Sequence, residues 1–142
     1  MHDVNSIEFD DMCETPLIHL MSDQTLDDMG GTQRLGNYDC ELLKGSRVHH
    51  LYGQDMIQQR HRHRYEFNNK YKEILEEHGL IVSGKNPERD LVEIIELENH
   101  PYFVACQFHP EFASRPNRSE PIFQGFITAA CHKKYQEEST QN

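Results

Sequence analysis

At 142 residues the chain is long enough for one domain with a core of its own. A formal net charge of −10 excludes the broad basic surface that nucleic-acid binders present to phosphates. No apolar run approaches the roughly 18 residues of a membrane span, and Met1-His2-Asp3-Val4 does not open a signal peptide. The expectation is therefore a soluble cytoplasmic protein with no nucleic-acid and no membrane partner.

The acidic charge is unevenly spread. Between Met1 and Gln33 stand eight Asp/Glu and no Lys or Arg, whereas Arg60, Arg62 and Arg64 crowd together. A local anion site fits that pattern. The cysteines (Cys13, Cys40, Cys106 and Cys131) show no CxxC pairing, so neither a zinc site nor a disulfide framework is indicated. None sits in the Gly-x-Cys-x-Gly setting of a nucleophile on a sharp strand-to-helix turn.

Residues 1–15 are polar and acidic without a period and predict a loop, with Glu8 in an exposed turn. A short strand follows over 16–21, then a segment ending at the junction Gly30-Gly31. Residues 32–43 read as extended, anchored by Leu35, Cys40 and Leu42. Lys44-Gly45-Ser46 turns the chain, and Ser46 caps a short helix that runs through Tyr52 and stops at Gly53.

Residues 56–67 predict one strand. Side chains alternate by two along a strand, so Arg60, Arg62 and Arg64 share one face and His61, His63 and Tyr65 the other. Two chemistries compete here. The planar fork of at least one arginine could grip a carboxylate or phosphate. Alternatively, His61 and His63 could bind a metal with a third ligand from His49-His50, although histidines in a strand more often form hydrogen bonds.

Asn68-Asn69 offers a cap for a helix carrying Tyr71, Ile74, Leu75 and His78 and ended by Gly79. Strands at 80–83 and 90–97, joined by a turn at 84–87, read as a hairpin. A further strand, 103–108, runs into His109-Pro110-Glu111. Pro110 cannot donate to a ladder, so the strand ends there, and it biases His109 towards extended backbone. Glu111 is close enough to hold one imidazole nitrogen, which leaves the other to take a proton from a nucleophile. An ordinary surface His/Glu contact is the alternative. Cys106 alternates with Val104 and Phe108 and is expected to pack. Residues 113–120 are irregular. Pro121 opens a helix whose stripe of Ile122, Phe123, Phe126, Ile127 and Ala130 is expected to lie on the sheet, and 133–142 read as a frayed polar tail. Strands covered by helices give an α/β class, and His109 falls at a strand's carboxyl end, where open α/β sheets bind ligands.

Four ordered motifs carry a resemblance. Gly30-Gly31-Thr32-Gln33-Arg34-Leu35-Gly36, Arg60-His61-Arg62-His63-Arg64-Tyr65-Glu66-Phe67-Asn68-Asn69, Leu91-Val92-Glu93-Ile94-Ile95-Glu96 and the stretch from His100 to Phe112 resemble the C-terminal part of the glutaminase domain of the CTP synthase family. The resemblance implies a class I glutamine amidotransferase fold, incomplete, with residues 1–132 as its C-terminal portion and 133–142 as a tail. The nucleophile cysteine, the oxyanion loop and the first strands are then expected upstream of Met1. In this family glutamine is hydrolysed to glutamate and ammonia, and the ammonia aminates UTP to CTP with ATP in a separate synthetase domain. By motif match His109 corresponds to the general base and acid, and Glu111 to its orienting carboxylate. Arg64 corresponds to the group that holds the glutamine α-carboxylate, and Glu8 to the contact with its ammonium. No cofactor is implied for this segment. ATP and Mg2+ belong to the synthetase domain, which is also the implied partner and the implied route to a homo-oligomer, while GTP is the implied allosteric activator. Gln33 departs from the family's usual methionine. Without the nucleophile cysteine the segment alone is expected to be inactive. The other reading is a stand-alone regulatory or glutamine-binding module without a nucleophile.

Overall fold

In a computed structural model the described residues are 1–20 and 34–140, with side chains to Lys133. The predicted segment ending at Gly30-Gly31, and Gln33, lie outside them. Among the described residues the chain runs β1 (Val4–Ser6), β2 (Thr15–Leu20), β3 (Arg34–Leu42), α1 (Arg47–Tyr52), β4 (Met56–His63), β5 (Tyr65–Phe67), α2 (Lys72–Glu76), β6 (Leu80–Asn86), β7 (Leu91–Leu97), β8 (Val104–Cys106) and α3 (Pro121–Thr140). Short 3-10 turns precede α2 at Asn69–Tyr71 and follow β8 at Pro110–Phe112.

The described strands form two sheets. The larger has the order β4-β3-β6-β7-β8 and is antiparallel throughout; the smaller has the order β1-β2-β5, with β1 parallel to β2 and β5 antiparallel to it. Together with the described helices this is a mixed α/β fold, as expected. The rule for carboxyl ends of parallel strands, however, has no purchase on an antiparallel sheet, and curvature does the positioning instead. The segment after β8 reaches round to the opposite edge, where the His109 amide donates to the Arg60 carbonyl of β4 at 2.9 Å.

Inside that curl lies the core. Cys40, Leu42, Val48, Ile57, Ile94, Phe108 and Ile122 form its main cluster, and Phe67, Val82 and Val92 a second one beside α2. β4 alternates as its sequence demands: Ile57, Gln59 and His61 point in, Arg60 and Arg62 out. Helix α1 is built from local signals. Ser46 Oγ accepts from the His49 amide at 3.2 Å, and Gly53 closes the helix at φ 65°, a left-handed conformation that favours glycine.

Several expectations are corrected. The strand predicted over 56–67 breaks at Arg64: β4 belongs to the larger sheet, while β5 pairs with β2 in the smaller one. The hairpin turn is not at 84–87, because β6 continues through Asn86 and the chain turns over 87–90. Gly84 stands inside the strand because a Cβ there would lie 2.7 Å from Ile94 Cγ1 and 2.8 Å from Cys40 Sγ. The strand predicted over 103–108 shrinks to β8. The opening loop contains β1. In α3 only Ile122 of the predicted stripe is fully buried; Phe126 is 55% and Ile127 59% exposed. That helix runs on through Thr140, past the start of the predicted frayed tail. No described helix is long and apolar enough to cross a membrane.

Candidate active site

His109 leaves the sheet between two backbone tethers. The Gln107 amide donates to the Glu93 carbonyl at 2.8 Å, and the His109 amide donates to Arg60 as described. Pro110 is buried and starts the 3-10 turn, which brings Glu111 back beneath the imidazole. His109 Nδ1 and Glu111 Oε1 are 2.7 Å apart. A carboxylate can only accept, so Nδ1 carries the proton and Nε2 presents a lone pair. Glu111 is held below the ordinary carboxylate range, first by its own backbone amide and then by His109, and so remains the ionised partner. The pair is solvent-accessible. Phe112 lies against it, its ring centroid 5.5 Å from that of His109, and the Arg60 guanidinium lies over the Phe112 ring. An imidazole oriented in this way can accept a proton from a thiol and return it to a leaving group.

Glu8 and Arg64 face one cleft. Its volume is about 650 Å3, and Ser6, His63, Tyr65 and Gln107 are among its lining residues. Glu8 sits in the turn after β1, where the Ser6 carbonyl accepts from both Phe9 and Asp10 at 3.0 Å, and Ser6 Oγ accepts from the Glu8 amide at 3.2 Å. Arg64 occupies the break between β4 and β5. The sheet change that the sequence concealed is therefore what turns Arg64 into the cleft. A carboxylate and a guanidinium from distant parts of the chain suit a ligand with an ammonium and a carboxylate on one carbon. Gln107 lines the same cleft two residues before His109, so one stretch of backbone links the cleft wall to the His109–Glu111 pair, which itself does not line the cleft. Arg62 lines this cleft too, whereas Arg60 lines a neighbouring one with Phe112.

Behind the cleft is a polar cluster. His61 Nδ1 lies 2.9 Å from His63 Nε2 and 3.5 Å from Glu93 Oε2, and the other oxygen of Glu93 accepts from Arg34. His49-His50, the pair considered for a third metal ligand, is engaged elsewhere: His49 with Asp55 at 2.9 Å and His50 with the Ser46 carbonyl at 2.7 Å. Glu93 takes that place beside the histidines instead. The spacing of the two ring nitrogens is that of a hydrogen bond. It is shorter than the ~3.3 Å between two nitrogens on one tetrahedral zinc at Zn–N of about 2.0–2.1 Å. Burial, reinforced by Arg34, pushes His61 down to about 3 and His63 to about 4, so both are neutral. The Glu93 carboxyl is pushed up by burial against the opposing pull of Arg34. Sequence reasoning did not assign Arg34 or Glu93 to any site. The available signal was a lone acid inside the apolar run Leu91-Val92-Glu93-Ile94-Ile95.

The cysteines in the larger sheet pack as expected. Cys40 is wholly buried, and the Cys106 thiol is pushed up to about 12 by burial and by Glu111. Neither environment favours a thiolate.

The family model for Glutamine amidotransferase class-I matches residues 13–129. The chain belongs to that family. Its curated relatives include the CTP synthase of Chloroflexus aggregans, 56% identical over 92% of this chain and 24% of its own length. The CTP synthase of Moorella thermoacetica is 55% identical over 91% of this chain and, again, 24% of its own. The chain thus spans about a quarter of the length of the curated relatives it matches. Among solved structures, the glutaminase domain of Trypanosoma brucei CTPS with bound acivicin superposes with a TM-score of 0.84 at 34% identity, covering 92% of this chain and 51% of that one. A protein assigned as one component of GMP synthase in Thermoplasma acidophilum shares the fold at a TM-score of 0.51 and 18% identity, over 75% of this chain and 49% of that one.

Proposed function

We propose that these residues are the C-terminal part of the glutaminase of a CTP synthase, and that they supply the glutamine cradle and the acid–base half of its active site. One observation carries the reading: the oriented His109–Glu111 pair follows directly on Gln107, which lines one cleft together with Glu8 and Arg64. Arg64 takes the α-carboxylate of glutamine and Glu8 its ammonium, which leaves the side-chain amide to extend towards His109. The attacking thiol comes from the part of the relatives that this chain does not span. His109 Nε2 removes the thiol proton as sulfur attacks the amide carbon. It then delivers that proton to the departing nitrogen, releasing ammonia. In the second half-reaction the same nitrogen takes a proton from water, whose oxygen displaces the sulfur to give glutamate.

The proposal extends to the whole protein. Ammonia passes to a synthetase domain that aminates UTP to CTP with ATP and Mg2+ under GTP activation, in a cytoplasmic homo-oligomer assembled through that domain. The 142 residues alone are inactive for want of the nucleophilic thiol, since none of their own cysteines stands in a nucleophile setting. Identity to CTP synthases over nine-tenths of the chain favours this reading over a stand-alone glutamine-binding or regulatory module.

The test is steady-state glutaminase kinetics in the complete polypeptide that carries these residues. Arg64→Ala is expected to raise KM for glutamine by roughly 10- to 100-fold, the loss of a charge-assisted hydrogen bond worth about 1.5–3 kcal/mol. Glu8→Ala should act in the same direction. An unchanged KM in both variants would remove the cradle from the reading.

A further inference from the structure

We infer that His63 is a positioning residue for glutamine binding: it holds the Tyr65 carbonyl and so fixes the strand break from which Arg64 enters the cleft. The inference rests on the glutamine reading of that cleft. Arg64 has no place in either sheet, since β4 ends at His63 and β5 begins at Tyr65. The backbone at such a crossing is set by what holds its ends. Two side chains converge on the Tyr65 carbonyl: His63 Nδ1 at 2.9 Å and Gln107 Nε2 at 3.1 Å.

The proton pattern behind this contact follows from its last acceptor. A carbonyl can only accept, so His63 Nδ1 carries its hydrogen. A neutral His63 then presents a lone pair at Nε2, and the neighbouring His61 Nδ1 must donate to it. His61 is fully buried, and its Nδ1–H also faces Glu93 Oε2. Glu93 in turn is clamped by Arg34, and its backbone carbonyl accepts from the Gln107 amide. Glu93 therefore stands behind both arms of the clamp on Tyr65: its carboxylate lies 3.5 Å from His61 on the histidine arm, and its backbone carbonyl holds the Gln107 arm. Gln107 also leads directly to His109. One buried frame sets where Arg64 leaves the sheet and where His109 begins, which is the spacing a bound glutamine must match. The two depressed histidines agree with a histidine pair that stays neutral at neutral pH.

The experiment is glutaminase kinetics on the complete polypeptide, with ammonia-dependent synthesis measured alongside to report a folded enzyme. His63→Ala is expected to raise KM for glutamine about 10-fold, with a smaller effect on kcat, since displacing a binding group by a fraction of an ångström has consequences of this order. His63→Asn, whose amide nitrogen can donate from the position of Nδ1, should restore KM to within ~3-fold of the parent. Gln107→Leu, which removes the other donor from the same carbonyl, should raise KM as His63→Ala does, and carries the test should His63→Ala not fold. Arg64→Ala is the reference. If it raises KM while His63→Ala and Gln107→Leu do not, or if His63→Asn behaves like His63→Ala, the positioning role is overturned and the glutamine reading stands. If Arg64→Ala itself leaves KM unchanged, both fall.

Discussion

At the scale of single residues, one hydrogen bond sets the chemistry of His109. Glu111 decides which imidazole nitrogen holds the proton, and the intervening proline-led turn keeps the two side chains 2.7 Å apart. Replacing Glu111 with Gln should keep the shape while losing the charge that stabilises an imidazolium. Glutamine-dependent kcat is expected to fall by roughly 10²- to 10⁴-fold, measured as glutamate release. A fall under 3-fold would reduce the contact to a surface hydrogen bond. The pair was legible in the sequence because it is local, two residues apart across a proline. The meeting of Glu8 with Arg64 was legible only through the family resemblance, since nothing local to either residue says that the two turns share a cleft. Glu93 and Arg34 went unassigned because their partners come from other strands.

The buried histidines give a prediction for pH. Both are shifted downwards in the folded protein, so between about pH 4 and the unfolded value of 6.5 the unfolded chain binds protons that the folded one does not. Stability should thus be fully present above about pH 6.5 and decline as pH falls towards 4, by up to about 1.4 kcal/mol per pH unit for each histidine. Glu93, shifted upwards, works in the opposite sense just above its ordinary range and reduces the net slope. Urea midpoints at pH 7 and pH 5 check this, and a double variant His61→Gln, His63→Asn should flatten the difference. An equal slope in that variant would assign the pH dependence to other groups.

At the scale of elements, legibility followed the range of the determining contacts. Helix α1 was read correctly from end to end because Ser46 and Gly53 act within a turn of themselves. Ser46→Ala should cost about 1 kcal/mol in urea unfolding. The break at Arg64 was invisible for the opposite reason. The alternation of Arg60 to Tyr65 suits a single strand, and only the pairing of β5 with β2, set by tertiary packing, divides it. The hairpin turn was misplaced because a glycine was taken as punctuation. Gly84 is present to let β6 pass close to Ile94 and Cys40, so Gly84→Ala should destabilise the protein by about 1–3 kcal/mol through overpacking. A neutral substitution there would mean that these side chains yield without strain. The stripe on α3 was read as packed on the sheet, yet Phe126 and Ile127 are exposed in this chain. Periodicity reports an apolar face and does not by itself name what covers it.

At the scale of the whole molecule, the chain beyond one edge strand of the antiparallel sheet, β8, reaches the other edge strand, β4, where the His109 amide donates to the Arg60 carbonyl. Fold class and family were accessible from sequence because four motifs stand in order along the chain. That contact with the far edge was not, because it depends on pairings among strands far apart in sequence. The chain corresponds to about a quarter of its curated relatives, so the proposed division of labour reaches beyond it. On the proposed reading these residues orient glutamine and move protons, while the attacking sulfur and the synthetase belong to the rest of the protein. The most direct test of that division is His109→Ala in the complete polypeptide, with CTP formation followed from glutamine and from free ammonia in the same preparation. The expected result is loss of the glutamine-dependent rate by at least ~10³-fold with the ammonia-dependent rate retained. Equal loss of both rates, or retention of both, would contradict it.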